Sequence, residues 1–307
     1  MQDCGNSSIP LLAPGFSLKT LPPMAIHIGC GSWRDKDYVG LLFPKSVPET
    51  QRLSHYAKFF DRVELNATYH TFQPRDRIAD WVNQTPPGFF FDVKLEKSFS
   101  RDPQSAAAKL ADRFLHSISP IANAGKLRAF LLTLDPSFGP QRHRLDELDG
   151  IAENFSPLAP VAVELRDRAW IEGDALASTL AYFRARKFAW VALDLPRLDA
   201  APLLPPIDEV THPALAYLRC HGRNPDYLKK SDDPKARHNH DYSVAELQEI
   251  AARIRFLATK AADVHVSLNN HYRHFAPKAA LALRQLLGQP TPPPLPPDRP
   301  DDQLSFF

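Results

Sequence analysis

The sequence predicts an α/β fold, a single eight-stranded parallel β/α barrel of the TIM type, and three observations carry that prediction. Eight short runs rich in β-branched, aromatic and aliphatic residues fall at 26–30, 62–66, 89–94, 129–134, 161–166, 188–194, 215–221 and 264–269. Segments of helical periodicity separate most of them, and strand–helix alternation argues a parallel sheet. Composition shows no break over that span, so eight repeats argue closure into one barrel rather than two domains.

The elements follow in order. Helical segments are expected at 49–60, 74–84, 106–118, 144–155, 172–186, 243–260 and 276–287. Ser243 with Glu246 forms a capping box that starts the seventh, and Gly288 ends the last. Residues 196–213 are Pro-rich with a weak helical pattern, which predicts an irregular crossover between the sixth and seventh strands. Residues 1–24 read as a disordered leader, with Met24 after Pro22-Pro23 as an alternative start. The barrel is expected over 25–288, and a stiff tail over 289–307 follows, with seven prolines between 289 and 300.

Composition narrows the function classes. With 44% hydrophobic and 23% charged residues the chain of 307 can bury a full core. A net charge of +2 is too mild for coating nucleic acid nonspecifically, so any phosphate binding must come from a local site. Cys4, Cys30 and Cys220 form no CxxC pair, which argues against a disulfide framework or a thiolate zinc site. The first 23 residues lack a basic start followed by an apolar run, and no stretch reaches ~18 apolar residues, so neither secretion nor membrane contact is expected. A cytoplasmic protein is the expectation.

Residues two apart on a strand share a face. One face carries Gly29 and Gly31, Glu64 and Asn66, Asp92 and Lys94, Thr133 and Asp135, Glu164 and Arg166, Asp194, Arg219 and His221, and Ser267 and Asn269. The other carries Val63, Leu65, Phe91, Val93, Val163, Leu165, Leu218, Val266 and Leu268 and suits the outer helices. The polar face then converges on the C-terminal mouth, where barrels place their sites. A plug of buried ion pairs, such as Glu164 with Arg219, is the structural alternative. Burying charge costs several kcal/mol per ion unless it is paired, and Val and Leu fill a barrel more simply, so a functional mouth is favoured.

Lys94, Arg166, Arg219 and Arg223 suit a phosphate or carboxylate, because guanidinium forks match such oxyanions. His221 is the candidate acid–base group, with Glu164, Glu64 and Asp194 as candidate catalytic carboxylates. Asn66, Asn269 and Asn270 are candidate substrate contacts, and Trp33, Tyr69, Trp170 and Tyr227 follow strand ends as a candidate stacking wall. Glu64, Glu164, Asp194 and His221 also offer donors for a divalent metal, but no HxH or HExxH spacing supports one, so no metal ligand is assigned. His238-Asn239-His240 is a loop tripeptide whose likeness to a nuclease motif is a coincidence of letters, and Cys30 reads as a small buried residue.

Five motifs in order resemble the YecE-like domain of unknown function 72 family over about residues 26–288: Gly29-Cys30-Gly31-Ser32-Trp33, Val63-Glu64-Leu65-Asn66-Ala67-Thr68-Tyr69, Val163-Glu164-Leu165-Arg166 with Trp170, Tyr217-Leu218-Arg219-Cys220-His221-Gly222-Arg223, and Leu268-Asn269-Asn270-His271. The resemblance implies a β/α barrel, compared in shape with sugar isomerases and a DNA-repair endonuclease, a likeness that assigns no reaction. Where the family usually has Gln-x-Pro on the fourth strand, this chain has Thr133-Leu134-Asp135, exchanging an amide for a carboxylate.

The C-terminal Gln303-Leu304-Ser305-Phe306-Phe307 resembles the short motif that docks into the bacterial sliding clamp, an extended peptide with hydrophobic anchors on a proline spacer. The leading expectation is therefore an enzyme acting on a phosphate-bearing or other anionic substrate, DNA or a small molecule, in repair or replication. A sugar-phosphate isomerase or lyase using His221 and Glu164 is the second reading, and a noncatalytic anion-binding or clamp-tethered protein the third.

Overall fold

The computed structural model describes residues 25–198, 202–233 and 235–290, so the leader to residue 24 and the clamp-like Gln303, Leu304, Phe306 and Phe307 lie outside the described residues. Eight parallel strands form the barrel wall: β1 Ala25–Cys30, β2 Arg62–Leu65, β3 Phe90–Lys94, β4 Leu127–Thr133, β5 Val161–Glu164, β6 Phe188–Asp194, β7 Leu215–Cys220 and β8 Asp263–Leu268. Their order around the wall is β1-β8-β7-β6-β5-β4-β3-β2.

β1 and β2 meet at a seam that a side chain bridges. The Tyr56 hydroxyl accepts from the Cys30 N–H at 2.8 Å and donates to the Arg62 carbonyl at 3.0 Å, linking the two strands through one phenol. Asn66 Nδ2 reaches the Gly31 carbonyl at 2.7 Å and adds a second tie. Gly29 is required here, since a Cβ would lie 2.5 Å from the Arg62 carbonyl oxygen.

The outer layer holds α1 Arg52–Tyr56, α2 Ala67–His70, α3 Arg75–Asn83, α4 Lys97–Arg101, α5 Pro103–Asn123, α6 Asp149–Phe155, α7 Ala175–Arg186, α8 Val244–Ala258 and α9 Phe275–Leu286. α5 outruns its expected limits because Asp102 caps the Ser105 N–H at 3.0 Å and Pro103 occupies the first turn, where its missing N–H costs nothing. The segment expected to be helical over 49–60 holds only a 3-10 turn, Glu49–Gln51, and α1. The Ser243–Glu246 capping box starts α8 as expected, and residues 202–213 contain no helix. Gln289, placed in the tail by sequence, still donates to the Ile26 carbonyl at 2.6 Å. Among the described residues no helix is long and apolar enough to cross a membrane.

The apolar face of each strand packs outward, as Phe130 of β4 does on Phe155 of α6 with ring centroids 5.0 Å apart. Parity fails on β6. Trp190 packs on Phe183 of α7 and donates to the Ile207 carbonyl at 3.0 Å, which turns Trp190, Ala192 and Asp194 outward and Leu193 inward. Asp194, expected at the mouth, instead lies between the wall and α8. There it accepts from Arg223 at 2.8 Å, Arg253 at 3.2 Å and Tyr242 at 2.8 Å.

The barrel interior is ionic. Arg62, fully buried, pairs with Asp92 and donates to the Val266 carbonyl and to the Tyr217 hydroxyl at 2.9 Å. His265 Nδ1 meets Asp92 at 3.0 Å.

Candidate functional site

One residue pair further along each strand, a second ionic tier forms. Arg219 sits at its centre, 1% exposed, with Nε 3.0 Å from Glu64 Oε2, Nη2 2.7 Å from Glu64 Oε1, and Nη1 on Glu164. Arg219 is therefore committed to two carboxylates and is no free clamp, so the ion-pair plug weighed as the structural alternative exists directly beneath the mouth. Burial alone works to raise the Glu64 carboxyl, but the Arg219 charge and hydrogen bonds hold it down to about 2. Glu164 is likewise resisted by burial yet kept well below the carboxylate range by Arg219 and Arg166.

His221 continues from β7 above this tier, 2% exposed. Asn269 Oδ1 takes His271 Nε2 at 2.5 Å, which leaves Asn269 Nδ2 to donate to His221 Nδ1 at 3.1 Å. His221 Nε2 lies between Arg219 Nη1 at 3.4 Å and Glu164 Oε2 at 3.7 Å. Burial lowers the His221 pKa despite the Glu164 contact, so the ring is neutral at pH 7 and able to accept or give a proton. His238 stacks on it at 6.1 Å and is itself pushed down to about 4 by burial and its histidine neighbour, while burial takes His271 to about 3.

A cavity of about 710 Å³ opens above β5, β6 and β7. Glu164, Arg166 and His221 line it, with Arg237 and Tyr227 from the β7–α8 loop and an apolar wall from Leu195, Leu203 and Leu228. Arg166 Nε is 2.9 Å from Glu164 Oε1, but its side chain is 37% exposed and its terminal nitrogens make no hydrogen bond among the described residues.

The remaining candidates separate. Lys94 is 8% exposed over the Tyr69 ring at 4.3 Å, with no ion pair among the described residues, and burial followed by the Arg219 charge lowers it to about 7. Arg223 is turned away with Asp194 by Gly222, whose φ of +89° breaks the strand parity, and it also meets Glu249 at 2.9 Å. Trp33 is buried against Trp81 at 5.2 Å, and Trp170 donates to the Phe138 carbonyl at 2.7 Å while stacking on that ring. Neither lines the cavity, so of the four aromatics proposed as a wall only Tyr227 does. Asn270 is fully buried and holds the His240 carbonyl at 3.0 Å. Asp135 spends its carboxylate on Ser137, at 3.0 Å from the N–H and 2.8 Å from the hydroxyl. Burial pushes the Cys30 thiol up to about 12. The set weighed for a metal is not assembled: Asp194 is elsewhere, the two glutamates face arginines, and among the described residues no group of three or more His, Cys, Asp or Glu is placed to hold a metal ion.

Sequence reading missed His271 and Arg237 and set His238 aside as part of a loop tripeptide. His271 stood within a quoted motif, and its closeness to Asn269 was the available signal; the other two are placed by a loop.

Gly31 lets this cluster close. A Cβ there would lie 2.6 Å from Asn269 Oδ1, 2.7 Å from Asn66 Nδ2 and 2.9 Å from His271 Nε2. Gly31→Ala is expected to cost ~1–3 kcal/mol by overpacking and to detach Asn269 from His221. Urea unfolding and the His221 imidazole titration followed by NMR check both, and an unchanged titration would refute the second.

Fold and site together define an eight-stranded β/α-barrel protein whose ion-paired interior ends in a histidine-bearing cavity above β5–β7. The chain belongs to the family described as protein of unknown function DUF72, whose profile matches residues 27–303. It is similar to the UPF0759 protein YunF of Bacillus subtilis (strain 168), with 26% identity over 255 residues, 80% of this chain and 89% of that one. A solved DUF72 family protein of Thermotoga maritima MSB8 is 25% identical with a TM-score of 0.76, covering 86% of this chain and 100% of that chain. One from Enterococcus faecalis V583 is 26% identical with a TM-score of 0.73, covering 87% and 99% respectively.

Proposed function

We propose that the protein is an enzyme for a small anionic metabolite, bound by Arg166 in the β5–β7 cavity, with His221 as its proton-transfer group. The observation that carries this reading is the exposed end of Arg166. Its terminal nitrogens face a cavity that also holds a neutral imidazole and an ionised carboxylate. A guanidinium fork accepts phosphate or carboxylate in two parallel bonds, and His221 stands where a bound anion's neighbouring atoms would lie. A volume of about 710 Å³ suits a metabolite, within the ~300–1,000 Å³ of typical ligand sites.

Calorimetric titration with inorganic phosphate, a panel of sugar phosphates and carboxylic acids, and single-stranded, nicked and abasic oligonucleotides tests the reading. Charge-assisted bonds of ~1.5–3 kcal/mol predict a roughly 10- to 100-fold weaker anion affinity in Arg166→Ala. His221→Ala is expected to retain anion binding and to lose proton exchange at substrate carbon, followed by NMR in deuterated water. Binding that Arg166→Ala leaves intact refutes the site, and oligonucleotide binding without metabolite binding refutes the substrate class.

A further inference from the structure

Lys94 is the buried cation that the site leaves without a counter-ion. The two interior arginines have theirs: Arg62 has Asp92, and Arg219 has Glu64 and Glu164. Lys94 makes no ion pair among the described residues, although both glutamates influence it, because Arg219 has taken their oxygens. Its ammonium rests on the Tyr69 ring at 4.3 Å, a contact that holds the amine in place without accepting a hydrogen bond from it through an oxygen.

The residue just past β2 is also unfinished. The parallel register sets Glu64 opposite Asp92 and Leu65 opposite Val93, after which Asn66 leaves β2 while Lys94 ends β3. The Asn66 amide is fixed by Nδ2, which donates to the Gly31 carbonyl at 2.7 Å and to Glu64 at 3.2 Å. Its Oδ1 is buried and has no hydrogen-bond partner among the described residues. An amine without an ion pair and an amide oxygen without a hydrogen-bond partner among the described residues thus lie at the C-terminal ends of two adjacent strands, and a buried polar atom left so is costly unless a ligand completes it.

We propose that Lys94 is a nucleophile that forms an imine with the carbonyl carbon of a substrate also carrying an anionic group, with Asn66 Oδ1 accepting a hydrogen bond from the adduct. The inference rests on the anion reading of Arg166 and names the reactive group of that substrate.

The chemistry balances without a further reagent. The nitrogen lone pair of the neutral amine forms the C–N bond while the carbonyl π pair moves to oxygen, and a proton passes from nitrogen to oxygen to give the carbinolamine. The C–O bond then breaks, and the oxygen leaves as water with one proton taken from solvent, giving a protonated C=N bond. A charged imine acts as an electron sink for chemistry at the neighbouring carbon. The amine must be neutral to begin, and burial together with the Arg219 charge lowers Lys94 to about 7, which supplies that form at physiological pH.

The probes are pyruvate and dihydroxyacetone phosphate, ketones that carry a carboxylate and a phosphate and that react poorly with surface lysines. Each is incubated with the full chain and sodium borohydride, which reduces an imine to a stable secondary amine, and the adduct is located by peptide mass spectrometry. The expected result is one adduct per chain on Lys94, half-maximal near pH 7, absent in Lys94→Arg and reduced at least tenfold in Asn66→Ala. Which probe reacts separates a carboxylate-bearing from a phosphate-bearing substrate. Adducts spread over exposed lysines, or none with either ketone, overturn the inference. Inorganic phosphate titrated against wild type and Arg166→Ala runs in parallel, so Arg166-dependent binding without a Lys94 adduct removes the imine alone, and loss of both removes the anion reading as well.

Discussion

Arg219→Met is expected to destabilise the protein by about 3–5 kcal/mol at pH 7, the cost of leaving a buried charge without its partner. Arg219 is the shared counter-ion of Glu64 and Glu164, and all three side chains are at most 2% exposed. Methionine fills much of the volume but returns no charge, so both carboxylates would face each other across an apolar stem. The pH dependence follows from the wild-type Glu64, held at about 2 against an ordinary 4.5. A depressed carboxyl contributes stability that is fully present above pH 4.5 and is lost as pH falls through about 2. The variant lacks that contribution, and burial raises its carboxyls, so they take up protons on mild acidification. Its deficit should be largest at neutral pH and should narrow towards pH 4.5. Urea unfolding of both proteins at the two pH values checks this, and a deficit that does not change with pH would show that the arginine acts through packing alone.

Lys94→Met carries the opposite sign. The amine falls from an ordinary 10.5 to about 7, so the fold disfavours its charged form. At about 1.4 kcal/mol per pKa unit the cost has an upper bound of about 5 kcal/mol, and local relaxation leaves about 2–4. Below pH 7 the lysine is protonated folded and unfolded, and the whole cost is felt. Between about 7 and 10.5 the unfolded chain binds more protons than the folded one, so wild-type stability climbs with pH. Lys94→Met should melt above the wild type at pH 6, and the gap should close by pH 10. Scanning calorimetry at both values measures it. A variant that melts below wild type at pH 6 would mean that the ring contact with Tyr69 outweighs burial. A residue that costs stability where it stands is one the fold keeps for another purpose.

The wall of the barrel was legible because its strands carry distinct apolar and polar faces, and β2, β5 and β7 alternate cleanly enough to place Glu64, Glu164, Arg219 and His221 inside. β6 reads Phe-Ala-Trp-Val-Ala-Leu-Asp, buried throughout, and nothing in it says which face Asp194 takes; the indole of Trp190 decides. Trp33 and Trp170 were misplaced for a different reason: a position just beyond a strand end does not fix the direction of a side chain once the backbone turns. His238 and Arg237 were illegible because a loop's path depends on contacts distant in sequence, here the Lys235 ammonium with Asp35 at 3.0 Å. Pairing was the hardest property to foresee. Of the arginines that looked suited to a ligand, the interior consumes Arg219, while the exposed Arg166 two residues beyond Glu164 keeps its terminal nitrogens available.

The Tyr56 bridge gives the sheet a beginning and an end that differ from those of the chain. Read by its ladders, the sheet runs from β2 through β8 and finishes on β1, so the first strand made is the last in spatial order. β1 docks only when β8 exists, at the far end of the sequence, and closing so long a loop is the slow, entropically expensive event of such a topology. Until then the β2 edge stands open, and what latches it afterwards is a hydroxyl and an amide in place of a full ladder. A chain permuted to start at β2 and end at β1 would keep every ladder between neighbours in sequence. The molecule is in this sense a rolled ribbon held by a clasp, and the clasp includes Asn66, at the rim of the chemistry.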